Sequence, residues 1–153
     1  MMPKDFARTG VPGLDDVLSG GLTRRHVFLV EGSPGTGKTT TAMRFLLEGA
    51  EKGETCLYVT LSETEEELRD SAASHGWTLD ERISVFEVVP AESLLDADQQ
   101  QSLLYSSDLE LGEATRQIFA AFERIRPERV VIDSLSEIRL LAQGSLRYRR
   151  QIL

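Results

Sequence analysis

A chain of 153 residues, 41% of them hydrophobic, is one globular domain or a part of one. No apolar run reaches the ~18 residues of a spanning helix, and the opening Met-Met-Pro-Lys-Asp lacks the apolar core of a secretion signal. A net charge of −8 argues against a broad nucleic-acid footprint, leaving Arg147, Arg149 and Arg150 as a local basic strip.

Residues 9–22 read as a turn, a short helix with Leu14, Val17 and Leu18 as its apolar face, and a stop at Gly20-Gly21. Residues 26–31, with Val27, Phe28, Leu29 and Val30, have the length and apolarity of a buried strand. Gly32-Ser33-Pro34-Gly35-Thr36-Gly37-Lys38-Thr39 then matches G-x-x-x-x-G-K-[ST]. Such a loop curls its backbone N–H groups into a nest for an anion, at the positive end of the helix that follows. Lys38 would reach the β- and γ-phosphates of a nucleotide, and the Thr39 hydroxyl would hold Mg²⁺. The predicted nucleotide-binding set is Gly32, Ser33, Pro34, Gly35, Thr36, Gly37, Lys38, Thr39 and Thr40. Residues 40–51 follow as a helix with Ala42, Met43, Phe45, Leu46, Leu47 and Ala50 on its apolar face.

Residues 55–61 form the second predicted strand. It holds the one cysteine, Cys56, which reads as a small buried residue because no disulfide or metal partner exists, and a reducing cytoplasm fits. Thr64 and Glu67 make a capping box, so a helix starts there and runs to about His75. Glu65, Glu66 and Glu67 offset the helix dipole and face water. Glu63 lies outside that helix, at the strand's carboxyl end, where open α/β sheets bind ligands. Trp77 reads as a packing residue, and His26 and His75 lack metal-ligand spacing.

Residues 83–88 are a third strand, and residues 90–109 an irregular excursion with a helical piece. Leu111, Ala114, Ile118, Ala121, Phe122 and Ile125 repeat at helical spacing. Residues 129–134 are a fourth strand, apolar throughout as if covered on both faces, and it ends in Asp133. An aspartate at such a strand tip orients the Mg²⁺ hydration shell. Residues 136–153 read as helical. The chain is therefore α/β, a mostly parallel sheet flanked by helices.

Together these residues resemble the KaiC family of RecA-like ATPases over essentially the whole chain. The resemblance rests on Thr9-Gly10-Val11-Pro12-Gly13-Leu14-Asp15 with Gly20-Gly21-Leu22, the phosphate loop, Tyr58-Val59-Thr60-Leu61-Ser62-Glu63-Thr64, Ser74-His75-Gly76-Trp77 and Val131-Ile132-Asp133-Ser134. It implies a RecA-like P-loop fold and Mg²⁺-dependent ATP hydrolysis, usually in hexameric rings with nucleotide at subunit interfaces, and self-phosphorylation in some members. The clock protein's paired glutamates appear here as Ser62-Glu63. A RecA-like core also continues past the helix after the Asp133 strand, with a further strand entering beside the phosphate-loop strand. The chain is accordingly expected to be the amino-terminal part of a longer ATPase domain.

The leading expectation is an ATPase acting as a signalling or clock-like switch, with Glu63 and Lys38 catalytic, Thr39 and Asp133 at the metal, and protein signalling partners rather than nucleic acid or membrane. The alternatives are a RecA- or RadA-type DNA-dependent motor, an ATP-binding regulatory module without turnover, and a small-molecule kinase. Residues 1–153 alone are expected to bind ATP poorly, with Asp133 not held at the right distance from Thr39.

Overall fold

The computed structural model describes residues 5–88 and 106–142. In chain order its elements are β1 (Phe6–Ala7), α1 (Leu14–Val17), β2 (Leu22–Thr23), α2 (Lys38–Glu51), β3 (Cys56–Thr60), α3 (Glu65–Ser74), β4 (Ile83–Glu87), α4 (Ser106–Ile125), β5 (Arg129–Asp133) and α5 (Leu135–Ala142). The strands β4, β3 and β5 form a parallel sheet in that order, and β1 pairs antiparallel with β2 as a separate ribbon. The register sets Thr60 beside both Glu87 and Asp133, so the three carboxyl ends finish level.

Every residue of β3 is buried. Because successive strand side chains point to opposite faces, β3 feeds two cores. Cys56 and Tyr58 pack with Met43 and Leu46 of α2 and Leu68 and Ala72 of α3. Leu57 and Val59 meet Ile118 and Ala121 of α4. Helices thus cover both faces of a parallel sheet, as predicted. The capping box also forms, with Thr64 Oγ1 accepting from Glu67 N and the Glu67 carboxylate accepting from Thr64 N at 2.8 Å. On α4, Leu111, Ala114, Ile118 and Ala121 are buried at the predicted spacing. Trp77 packs against the first core and stacks on His75 at 4.8 Å. Burial pushes the Cys56 thiol up to about 11, which makes it inert at neutral pH. Among the described residues no helix is long and apolar enough to cross a membrane.

At the amino ends of β3 and β5 a charged cluster sits below the helices. Arg129, whose side chain is 1% exposed, pairs with Glu54 at 2.6 Å, and Arg24 pairs with the other Glu54 oxygen at 2.6 Å. Arg129 Nη1 donates to the carbonyls of Arg8 and Phe45, and its guanidinium lies 4.7 Å from the Phe45 ring centroid. The helix passes close enough that a Cβ on Gly49 would sit 2.5 Å from Arg129 Cδ, so only glycine fits there. Burial pushes the Glu54 carboxyl up, but the hydrogen bonds and charges of Arg129 and Arg24 outweigh it and bring it down to about 2.

Three expectations are corrected. Residues 26–31 are not a strand: they pair with no other strand among the described residues, and Val27, Phe28, Leu29 and Val30 are 88, 47, 69 and 59% exposed. Apolar side chains alone do not make a strand without a neighbour to take the backbone hydrogen bonds. β5 is not covered along its length, because Val130 is exposed and the buried residue is Arg129. On α1, Val17 is exposed and Asp15 is buried. Asp15 accepts from Thr9 N at 2.7 Å and Thr9 Oγ1 at 2.9 Å and pairs with Arg8, so the opening Thr-Gly-x-x-Gly-Leu-Asp stretch is a local clasp. Burial pushes the Asp15 carboxyl up, and these bonds outweigh it and hold it below the usual range. Residues 89–105 and 143–153, including most of the expected excursion and the basic strip, lie outside the described residues.

Candidate functional site

The phosphate loop lies between the exposed run and α2, which starts at Lys38, two residues earlier than predicted. Gly37 caps that helix with φ of 87°, a left-handed conformation that a side chain would strain. The loop is braced from within: Thr36 N and Thr36 Oγ1 both donate to Ser33 O, at 3.3 and 2.8 Å. Lys38 Nζ donates to the carbonyls of Gly32 and Ser33 at 2.9 and 3.0 Å. The ammonium thus stands over the loop mouth, held by neutral acceptors that a phosphate would outcompete, since charge-assisted bonds are the stronger kind. Residues 32–36 are exposed, and Lys38, Thr39 and Thr40 are partly buried.

Thr39 and Asp133, 94 residues apart in sequence, meet directly: Thr39 Oγ1 donates to Asp133 Oδ2 at 2.7 Å. This overturns the expectation that Asp133 would stand away from Thr39 in this chain. The reason is packing: α2 lies on β3 through Met43 and Leu46, and β3 holds β5 in register, so the helix start and the strand tip are fixed relative to each other without a further strand. Thr39 and Asp133 supply hard oxygen donors, and among the described residues no cluster of three His, Cys, Asp or Glu side chains forms a protein-only metal cage. That donor set fits Mg²⁺, which keeps most of its waters and takes one or two protein oxygens beside substrate phosphates.

The same Asp133 oxygen accepts from Tyr58 Oη at 2.7 Å. Burial, then the hydrogen bond to Asp133 and its charge, push the Tyr58 phenol well up, so it is a donor at all ordinary pH. Glu63 is placed by its backbone: Thr60 Oγ1 donates to Glu63 O at 2.7 Å and accepts from Glu63 N at 3.0 Å. Burial, with the charges of Asp133 and Glu67, raises the Glu63 carboxyl above its ordinary value, the direction that suits a proton acceptor. Beyond Asp133 the chain turns through Ser134, whose hydroxyl donates to Glu137 of α5. Tyr58 and Thr60 are the site residues that motif reading passes over. Their signal was available, since a polar-tipped aromatic and a threonine in a strand buried on both faces each need a partner.

Residues 7–153 match the family described as ATPase: KaiC. The chain belongs to the KaiC family of ATPases. It is 33% identical to a UPF0273 protein of Aeropyrum pernix, over 89% of this chain and 56% of that one, and 32% identical to the UPF0273 protein PH0284 of Pyrococcus horikoshii, over 86% and 55%. It is also 31% identical to the circadian clock oscillator protein KaiC of Parasynechococcus marenigrum, over 85% of this chain and 25% of that one. The crystal structure of the KaiC-like protein PH0186 from Pyrococcus horikoshii superposes with a TM-score of 0.75 at 29% identity, over 98% of this chain and 64% of that one. The KaiC-family chain spans about half the length of the UPF0273 relatives it matches.

Proposed function

We propose that this chain binds ATP with Mg²⁺ and, within a full KaiC-type domain, hydrolyses it as a signalling or clock-like switch working as a ring oligomer. The observation that carries the reading is the 2.7 Å bond between Thr39 and Asp133, which ties the phosphate loop to the strand tip. ATP would lie on Gly32 to Thr40, with Lys38 exchanging its two loop carbonyls for phosphate oxygens. When bound, Mg²⁺ would supply neutralisation of the phosphate charge. Thr39 and Asp133 would hold it, and Glu63 would orient or deprotonate the attacking water. The acidic balance of the chain supports protein partners over nucleic acid. A second reading, ATP binding without turnover by this chain alone, is favoured by the uncovered run 26–31 directly before the loop.

Titration of a fluorescent ATP analogue with Mg²⁺ and then with chelator tests the binding claim. Lys38→Ala should weaken binding at least tenfold, about 1.4 kcal/mol. Equal affinity of the wild type and Lys38→Ala would overturn it. Stimulation of turnover by single-stranded DNA would favour a DNA-dependent motor instead.

A further inference from the structure

We infer that Tyr58 is a positioning residue for the metal site, fixing the Asp133 carboxylate through its phenol hydroxyl; the inference rests on the Mg²⁺–ATP reading above. Asp133 Oδ2 receives two donors from two different elements, Thr39 Oγ1 on α2 and Tyr58 Oη on β3, each at 2.7 Å. Two donors fill the lone pairs of one carboxylate oxygen. Oδ1 takes no hydrogen bond among the described residues, which would leave it available to a bound metal's water shell. The terminal torsion of an aspartate is a broad two-fold well, so a single donor leaves the carboxylate free to rock. Two donors converging on one oxygen fix its plane.

The two donors differ in what they can do when a metal arrives. Thr39 sits at the start of the loop helix and is itself a candidate ligand, so its hydroxyl geometry changes with occupancy. Tyr58 cannot follow. It is 1% exposed, packed among Met43, Leu46 and Leu68, and anchored in the central strand. It is therefore the invariant reference for the carboxylate in the empty and loaded states. A buried tyrosine satisfied by a convenient acceptor would show the same bond, but it would have no effect on metal binding.

The full chain is titrated with Mg²⁺ in the presence of a fluorescent ATP analogue, with affinity in chelator as the reference. Mn²⁺ bound to the same complex is followed by electron paramagnetic resonance. Tyr58→Phe removes one oxygen and should raise the Mg²⁺ midpoint by about tenfold, the scale of a hydrogen bond to a charged group. Affinity in chelator should be unchanged, and the Mn²⁺ spectrum should broaden as the carboxylate loosens. Replacing Tyr58 by 4-aminophenylalanine restores a donor at the same place and should bring the midpoint back towards the wild-type value. In an Asp133→Asn background, Tyr58→Phe should shift nothing further. Wild-type metal dependence with an unshifted midpoint in Tyr58→Phe would overturn the inference alone, as would failure of the 4-aminophenylalanine protein to differ from Tyr58→Phe. Absence of metal-dependent nucleotide binding in the wild type would overturn the functional reading and this inference with it.

Discussion

The two ends of the parallel sheet are built from similar residue types to opposite effect. At the amino end, Arg129 and Arg24 share Glu54, Arg24 also pairs with Asp5 so that the charges balance, and Arg129 finishes its hydrogen bonds on the carbonyls of Arg8 and Phe45. At the carboxyl end, Asp133 and Glu63 lie close enough for the charge of one to raise the other, and no cation among the described residues pairs with either. Lys38, the nearest loop cation, is held by carbonyls instead. One end is electrostatically closed and should carry stability. The other is left with unbalanced negative charge, the condition for taking up a cation, and should carry binding and chemistry. If that division is right, substitutions at the two ends will separate cleanly into unfolding and function.

The largest separation should come from Arg129→Met. It strips Glu54 of its most buried partner and removes the donor that the Arg8 and Phe45 carbonyls share. Breaking one partner of a buried pair costs about 3–5 kcal/mol. Urea unfolding should show that loss, while the folded fraction still binds ATP with the wild-type Mg²⁺ dependence. A loss below about 1 kcal/mol would mean the cluster is solvated and the division is wrong.

Acid should find the same cluster next. The Glu54 carboxyl, at about 2 when folded, titrates near its ordinary 4.5 when unfolded. Its stabilisation is complete above about 4.5 and is lost as the pH falls through about 2, a window worth roughly 3 kcal/mol. Denaturant midpoints measured between pH 6 and pH 2 should fall in the wild type and stay flatter in Glu54→Gln. Parallel curves would show that Glu54 is not the group responsible.

At the opposite end Glu63→Gln should leave unfolding unchanged and lower single-turnover ATP hydrolysis by about 10²-fold in a full KaiC-type domain. Burial, the first cause of the raised carboxyl, persists in the loaded site and should move the acid limb of that rate upward from that of a free glutamate. An unaltered single turnover would remove Glu63 from the mechanism.

What was legible in the sequence follows the same division. The phosphate loop, the capping box at Thr64, the amphipathic face of α4 and Asp133 at a strand tip are local patterns, and each was readable from a window of a few residues. The amino-end cluster was not, because Glu54 and Arg129 are 75 residues apart and an arginine opening an apolar strand looks like a solvent-facing cap. The Tyr58–Asp133 bond spans the same distance. The clearest miss is residues 26–31. Their composition matches β3 closely, yet β3 is buried on both faces and flanked by β4 and β5, whereas 26–31 is exposed and pairs with no strand among the described residues. Composition nominates a strand, and only a partner makes one.

That contrast gives the smallest and most direct prediction, because the two runs offer the same residue in opposite surroundings. Val59 is fully buried among Leu57, Ile118 and Ala121, and Val30 is 59% exposed. Val59→Ala removes two methyl groups and leaves a void between β3 and α4, at a cost of about 2 kcal/mol. Val30→Ala removes the same atoms from a surface already in water, so its effect in this chain should stay within about 0.5 kcal/mol. Paired urea unfolding of the two variants measures the difference. It also separates two accounts of the run. If Val30→Ala is neutral here but costs as much as Val59→Ala in a longer KaiC-type domain, the run is a strand that lacks only its neighbours. If it is costly here as well, the run is already packed in solution, and the open carboxyl end is more closed than its exposure indicates.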